Sequence, residues 1–582
     1  LSTKTLLDEL RAFVDKEYEA NFAKLHDIWE KPLNQKLESG ETQSLTAIKI
    51  EDSKHVVVQL GNNDSRFREG DMICLHLGDP QNDSFVRQAM IEAENEGEWL
   101  LRAKLEESKV KQISGVFYAD MDTMDLKPFY NQALNDVASS TNGRKILLPL
   151  LSGELNSSGV YDANYDDAAD AAEASGFNDN QSHAVGLGVA AKYLACIQGP
   201  PGTGKTRVIS LIAKLLVNEG QRVFLSSHTH MAINNALNKI AQEAVPTIKV
   251  GASGTGKGLD KNIPLFAHGG DWQGRPDSGY VIGATPFATC SKRLENFDFD
   301  TVIFDEASQI TVALALMAMR KAKRFVFVGD HKQLPPVVLS KSVLEESSYS
   351  IFSRLVLGNT DTVMLNQTYR MNQSLAKWPS KQYYGGELVS AGKNSGKTLQ
   401  LANTTKAFTK LWSGEHPFVF IPSPGVNTRT QSKVEAELVV ELIQAITEAG
   451  LTLKQLAVVT PYRNHAKLIK SKLADRFGTF TAKQITIDTV ERMQGQEREV
   501  IIISMCSTDP QFIQAVAGFF FQAERLNVAI TRSMVKLILI GPEIPPGFKV
   551  DSQLESLQAN INAYLDLVNN AVKFDAQGEL YG

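Results

Sequence analysis

Residues 199–206 read GPPGTGKT, and the spacing of Gly199, Gly204, Lys205 and Thr206 is that of a phosphate-binding loop. Its flanks agree. The apolar run at 194–198 predicts a buried strand, and 207–217 predicts a helix with Val208, Leu211, Ile212 and Leu215 on one face. Glycines in such a loop let backbone N–H groups wrap phosphate oxygens at a helix N-terminus. Gly199, Pro200, Pro201, Gly202, Thr203 and Gly204 would form the cradle here. Lys205 would carry a positive charge to the β/γ-phosphates, and the Thr206 hydroxyl would meet Mg²⁺. A nucleoside triphosphate is the expected substrate.

Two near-copies act as controls. GASGTGKG at 251–258 keeps the glycine and lysine spacing, but Gly258 stands in place of the hydroxyl and the LDKNIP that follows opens no helix. GKNSGKT at 392–398 is one residue short between its glycines and lies in a polar, lysine-containing stretch. Without strand and helix on either side, both read as flexible surface loops that bind no nucleotide.

Working outward, 582 residues suffice for about three or four domains, each with its own core. Hydrophobic residues make up 43% and charged residues 22%, the balance of a soluble globular chain. No run approaches the ~18 apolar residues of a membrane span, and no signal-peptide pattern opens the sequence, so an intracellular protein is expected. A chain starting at Leu1 reads as trimmed or as part of something longer. Four scattered cysteines without CxxC spacing argue against a zinc module, an iron–sulfur cluster or a disulfide framework. With a net charge of −6, any contact with nucleic acid must come from a local basic groove.

Residues 1–31 carry apolar positions at helical spacing, ended by Pro32 and the turn at 38–40. From 44 to 118, about five short β-rich runs separated by turns such as 61–71 suggest a small barrel, with a helix to follow at 126–139. The Asp/Ala-rich stretch 161–176 reads as a solvated lead-in. Strands are then expected at 194–198, 222–227, 280–284, 301–304 and 324–328, and at 417–421, 455–459, 500–505 and 535–540. Their alternation with helical segments implies two parallel α/β domains in tandem.

Two further strings carry chemistry. TVIFDEASQ at 301–309 delivers Asp305 and Glu306 to the C-terminal edge of a sheet, where Asp305 could hold Mg²⁺ and Glu306 could deprotonate an attacking water. RFVFVGDHKQLPP at 324–336 ends another strand in a turn bearing Gln333, a neutral amide suited to sensing a γ-phosphate.

Taken in order, these strings resemble superfamily 1 helicases, in particular the 1B branch that includes the up-frameshift RNA helicase and the replication flap nuclease–helicase. The resemblance continues through LNQTYRMN at 365–372, VVTPYRNH at 458–465, ITIDTVERMQGQE at 485–497 and RLNVAITRS at 525–533. Upstream, FNDNQ at 177–181, SSHTHMAINN at 226–235 and VIGAT at 281–285 match the same order, and KPLNQKLESGETQ resembles the group's stalk-to-barrel junction. The resemblance implies two RecA-like motor domains, at 146–360 and 361–550, behind a helical stalk at 1–43, a barrel at 44–118 and a returning stalk helix at 119–145, with a C-terminal helix or tail at 551–582.

It also implies roles. Gln181 would read adenine, Tyr369 would stack on the base, Glu497 would touch the ribose, and Arg370 and Arg532 would act as arginine fingers. Single-stranded nucleic acid, DNA or RNA, would be gripped by Ser227, Thr229, His230 and Thr285 on the first domain. Thr460, Tyr462, Arg463, Thr489 and Arg492 would grip it on the second. Each hydroxyl could instead merely cap a helix. His228 and His230 lack acidic or cysteine company, so no metal site is expected there. The cysteine and histidine ligands of the family's zinc and iron–sulfur modules are missing from this sequence, which offers no support for a nuclease.

With its chemistry split between two domains, the ATP site would be complete only when the cleft closes, and 5′→3′ polarity follows from the branch alone. A remodelling translocase that separates no strands, and a regulatory subunit with a vestigial ATPase, remain as alternatives. The barrel and flanking regions are left open as places for protein partners. No membrane contact is expected.

Overall fold

The first helix, Thr3–Trp29, buries Leu6, Leu10, Val14, Leu25 and Ile28, one stripe at helical spacing. The structure is a computed structural model. It describes every residue except 1, 64, 66, 68–70, 96, 104, 111, 112, 114, 156–158, 341–348, 359, 361, 403–407, 546, 549–554, 581 and 582. Part of the turn expected at 61–71 and the start of the expected C-terminal tail therefore lie outside the described residues. Pro32 does not end the helical region. It leads into a second short helix, Leu33–Ser39, which stops at Gly40 with a φ of 70°, a left-handed turn that favours glycine.

Six antiparallel strands follow: β1 Thr42–Ile50, β2 His55–Leu60, β3 Met72–His76, β4 Arg87–Asn95, β5 Glu98–Arg102 and β6 Phe117–Met121. They close into a barrel in the order β1-β2-β5-β4-β3-β6, with β6 returning to β1 through Leu45 opposite Phe117. Closure removes the sheet edges, and Leu45, Val58, Ile73, Leu101 and Phe117 fill the interior. The helix Lys127–Ser139 comes back beside the first helix, where Leu134 and Val137 join the cluster of Leu6, Leu10 and Val14.

The first motor sheet takes β7 Leu194–Gln198, β8 Arg222–Ser226, β9 Thr247–Val250, β10 Leu265–Phe266, β11 Tyr280–Gly283, β12 Thr301–Phe304, β13 Arg324–Gly329 and β14 Thr362–Met364. All pairings are parallel, in the order β10-β9-β11-β8-β12-β13-β7-β14. Such a sheet is covered on both faces, which is why its central strands are continuous apolar runs. Sequence reading assigned 361 onward to the second domain, yet Thr362–Met364 hydrogen-bonds beside β7 and extends the first sheet. The boundary therefore falls later.

After a two-residue pair, β15 Gln367–Thr368 with β16 Val389–Ser390, the second sheet is built of β17 Phe418–Pro422, β18 Leu456–Thr460, β19 Thr486–Thr489, β20 Arg498–Ser504, β21 Ser533–Gly541 and β22 Val572–Lys573. Its order is β19-β18-β20-β21-β17-β22. Of the helix or tail expected at 551–582, the helix Glu555–Asn569 is present and packs Tyr564 and Leu567 into the second core, and β22 beyond it pairs with β17.

The Asp/Ala-rich stretch is also more than a lead-in. Asp162–Ala174 is a helix whose Ala168 and Ala172 are buried against the helix Asp179–Ala190. Small residues four apart let the two helices approach closely, while the aspartates face water. Among the described residues no helix is long and apolar enough to cross a membrane.

Candidate functional site at the interdomain cleft

The phosphate loop leaves β7 and enters the helix Lys205–Asn218. Gly199 N–H donates to Gly329 O at 2.9 Å, tying the loop to the end of β13. Thr203 Oγ1 donates to Pro200 O at 2.7 Å and Lys205 Nζ donates to Gly199 O at 2.7 Å, so both side chains fold over the cradle. Gly202 has a φ of 76°, and a Cβ there would stand 2.4 Å from Arg370 Cβ. Chain from the second half thus lies on the loop. Tyr369 N–H donates to Gly202 O at 2.9 Å and Thr368 Oγ1 to Pro201 O at 2.8 Å.

Gln181, expected to read adenine, sits beside the phosphate loop. It is buried, accepts from Asn178 N–H at 3.2 Å in a reciprocal helix cap, and donates through Nε2 to Thr203 O at 3.0 Å. One hydrogen bond at each amide atom ties it to its own helix cap and to the phosphate loop. Tyr369 is 39% exposed, its hydroxyl accepting from Asn178 Nδ2 at 2.9 Å. Its ring lies against Gly392, where a Cβ would come within 3.0 Å. The near-copy at 392–398 therefore begins as a floor for this tyrosine and turns through 392–394 rather than cradling phosphate.

Asp305 is buried at the end of β12 and accepts from Glu306 N–H at 2.9 Å. Burial, and next the Glu306 carboxylate, raise its pKa against the pull of Lys205 and of that N–H. Glu306 itself has a φ of 52°, a left-handed conformation that costs a non-glycine residue of order 1–3 kcal/mol and is kept where the surroundings over-determine it. The close packing is visible one strand away. A Cβ on Gly329 would lie 2.8 Å from Ser308 N, so the chain after Asp305 has little room for another path. Gln494 Nε2 of the second domain donates to Glu306 Oε2 at 3.4 Å.

Gln333 is buried, donates to Asp330 Oδ2 at 2.8 Å, and accepts from Arg532 Nη2 at 3.5 Å. Arg532 is only 2% exposed. Its guanidinium meets carbonyl oxygens alone: Val528 O at 2.9 Å, Gln496 O at 3.3 Å and the Gln333 amide. Among the described residues it has no carboxylate partner, and burial together with neighbouring Arg370 pulls its pKa down to about 9. The Glu306 and Glu497 carboxylates, though not hydrogen-bonded to it, pull the other way. Arg370 differs. Its Nε donates to Glu497 at 2.6 Å and Nη1 to Thr531 O at 3.1 Å, so Arg370 and the Glu497 expected at the ribose are paired with each other.

Residues that sequence reasoning did not place complete the cleft. Asp330 accepts from Gln198 Nε2 at 3.2 Å and from Tyr384 OH at 2.7 Å. Asn527 Nδ2 donates to Tyr384 OH and to Lys332 O, both at 2.8 Å. Asn527 and Gln494 lie inside quoted motifs and could have been found by asking which polar residues would be buried. Tyr384 carries no such signal.

Candidate strand contacts fare unevenly. Ser227 and Thr460 are fully buried, and Thr489 is 5% exposed. Thr229 caps its helix, accepting from Ala232 N–H at 3.3 Å, and Arg492 is paired with Asp488 at 3.0 Å. His230 and Thr285 are half-buried and line a cavity under the barrel. Tyr462 is half-buried beside Phe519, and Arg463 is exposed at the start of the helix Arg463–Phe477.

Two family models described as AAA domain match the chain, one over residues 176–262 and 277–341, the other over 347–543. The DNA replication ATP-dependent helicase/nuclease DNA2 of Xenopus laevis is 29% identical over 401 residues, 63% of this chain and 37% of that protein. Its namesake in Saccharomyces cerevisiae is 30% identical over 397 residues, 62% of this chain and 26% of that protein. The DNA polymerase alpha-associated DNA helicase A of Schizosaccharomyces pombe is 28% identical over 432 residues, 62% of this chain and 63% of that protein. The chain therefore spans less than two fifths of the length of these two helicase/nucleases.

Proposed function

We propose that this chain, matched by AAA domain models and related to the DNA replication helicase/nucleases, is a superfamily 1B helicase that couples ATP hydrolysis between its two motor domains to movement along single-stranded DNA. Lys205 and the loop 199–204 bind the phosphates, Glu306 takes the proton of the attacking water, Gln333 senses the γ-phosphate and Arg532 neutralises charge developing on it. The half-open ring of Tyr369 on Gly392 supports stacking of the base. The Thr206 hydroxyl and the Asp305 carboxylate are hard oxygen donors. Oxygen donors of this kind suit Mg²⁺ completed by phosphates and water. Bound there, the ion would offset phosphate charge. Relatives named for DNA favour DNA over RNA, the branch favours 5′→3′ travel, and work on nucleic acid favours an intracellular place.

The observation that carries this reading is Arg532, a buried, carboxylate-free guanidinium of one domain facing Gln333 of the other. Arg532→Gln should keep the melting temperature at or above wild type, because a buried charge is removed, while strand-stimulated ATP turnover falls by about 10³-fold or more. A lower melting temperature with turnover retained would make Arg532 a structural residue and remove the shared site. Matched DNA and RNA oligonucleotides, then duplexes with 5′ or 3′ tails and a blunt control, test the strand and the direction.

A further inference from the structure

A groove of about 520 Å³ runs along the free edge of the second motor sheet. That edge is β19, which pairs with β18 on one side and ends the sheet on the other. The later turns of the helix Arg463–Phe477 form the opposite bank, and the short helix Thr479–Ala482 closes one end. Ala474, Ile485 and Ile487 give the groove apolar walls.

Three lysines stand around it: Lys467 and Lys470 on the helix, and Lys483 on the chain entering β19. All three are exposed, and among the described residues none has an ion pair or a side-chain hydrogen bond. Lys472 on the same helix does have a partner, Glu437. No carboxylate is found among the described lining residues. Lysines that merely guard a sheet edge sit on the edge strand itself, but Thr486–Thr489 has none and the helix supplies two of the three. On a convex face such lysines would need only water. Here they rim a concavity with apolar walls, and Phe480, 81% exposed, stands on the short helix that closes it. An exposed aromatic beside an apolar groove is suited to anchor a protein contact.

The charge selects an acidic partner, and the position selects protein over nucleic acid. The expected strand contacts Thr460 and Thr489 face each other at the C-terminal ends of β18 and β19, and Arg463 begins the helix. The groove uses the other ends of these elements, with Lys470 about 10 Å along the helix from Arg463. Among the described lining residues no aromatic ring offers a face on which bases could stack. An extended peptide, by contrast, can pair with a free strand edge while its side chains reach the groove beside it.

We propose that this groove docks an extended acidic segment of a partner protein. Its carboxylates meet Lys467, Lys470 and Lys483, an apolar side chain enters the groove, and Phe480 packs against the segment at the rim. This surface lies outside the ATP site and the expected strand contacts, so it stands or falls separately from the proposed function.

The probe is a labelled peptide with the core Asp-Glu-Leu-Asp-Glu, set against Lys-Lys-Leu-Lys-Lys, titrated with the full chain. The acidic peptide should bind and the basic one should not. The triple variant Lys467→Glu, Lys470→Glu, Lys483→Glu should bind the acidic peptide about tenfold more weakly or worse, since each exposed pair is worth a few-fold. Phe480→Ala should bind it about threefold more weakly. Both variants should keep the wild-type melting temperature and ATP turnover, because the four side chains are exposed. If the triple variant melts lower, Phe480→Ala and Lys483→Glu alone carry the test. A control triple, Lys4→Glu, Lys16→Glu, Lys24→Glu, reverses three exposed lysines of the first helix. It changes net charge equally and should leave binding within about twofold of wild type, because distant exposed charges are screened. Equal losses in both triples would show a general field rather than a groove and overturn the site. A wild type that leaves the acidic peptide unbound would also overturn it. A labelled oligothymidine that loses affinity in the groove variants, with peptide binding unchanged, would assign the lysines to nucleic acid and overturn the protein contact.

Discussion

Glu306 combines a left-handed backbone, an adjacent buried carboxylate and a contact across the cleft. Glu306→Gln keeps size and backbone but cannot accept a proton, so turnover should fall by about 10²–10⁴-fold with ATP affinity retained. Loss of ATP affinity instead would mean that Asp305 and Glu306 have exchanged roles. His465 offers a separate test, away from catalysis. Ser432 N–H donates to its Nδ1 at 3.4 Å, which leaves Nε2–H to donate to Ser504 Oγ at 2.8 Å, and Ser504 donates on to Glu435 at 2.6 Å. Burial pulls the His465 pKa down to about 4. A histidine depressed in the folded state contributes stability that is present above its unfolded pKa of about 6.5 and lost as pH falls toward 4. Between pH 7.5 and 5.0 this group should cost wild type about 2 kcal/mol that His465→Gln does not lose. Denaturant melts of both proteins at the two pH values measure the difference, in which titrations remote from the ring cancel, and the same melts on a Glu435→Gln background take out its buried neighbour. A gap that stays constant with pH would show that His465 is not neutral in the fold.

At the scale of elements, the phosphate loop is where backbone geometry is least negotiable. Gly202→Ala would put a Cβ 2.4 Å from Arg370 Cβ and 2.7 Å from Thr368 Oγ1 at a φ of 76°. It should cost about 1–3 kcal/mol of stability and weaken ATP binding, read by thermal shift with and without nucleotide. An alanine variant that binds and melts as wild type would show that the loop has slack. These strands were legible because buried parallel strands are apolar runs: 301–304 matches β12 and 194–198 matches β7 residue for residue. Asp162–Ala174 was not, because its packing rests on two alanines among aspartates, and small residues carry little periodic signal. Thr362–Met364 was misassigned for a related reason. Three residues fix no sheet, and only the free edge of β7 does. Within the site, Lys205 and Asp305 stood out by residue type and spacing, and Arg532 only through the family resemblance. The commitments of Gln181, and the pairing of Arg370 with Glu497, depend on side chains meeting across the fold and leave no trace along the chain.

For the whole molecule, the question is what makes two separately cored sheets behave as one machine. The two cores are distinct apolar clusters, and one of the polar chains that cross between the two halves runs through the Tyr384 hydroxyl. Tyr384 OH donates to Asp330 Oδ2 at 2.7 Å and accepts from Asn527 Nδ2 at 2.8 Å, while Asn527 also holds Lys332 O. Asp330 in turn accepts from Gln333, the amide facing Arg532. A change in cleft geometry felt at Gln333 therefore reaches Asn527, which shares a helix with the residues leading to Arg532. Tyr384→Phe keeps the ring and its packing but takes the hydroxyl away, leaving a buried carboxylate oxygen short of a donor, which should cost about 1–3 kcal/mol. Lys205, Glu306 and Arg532 are untouched, so basal ATP turnover should stay within a few-fold of wild type, whereas stimulation by a single strand, which requires both domains to respond together, should fall further. The ratio of stimulated to basal turnover is the measurement. A stable variant with that ratio unchanged would show that the tyrosine merely fills space, and the coupling would then have to pass through further polar contacts across the cleft, such as Gln494 to Glu306 and Arg532 to Gln333.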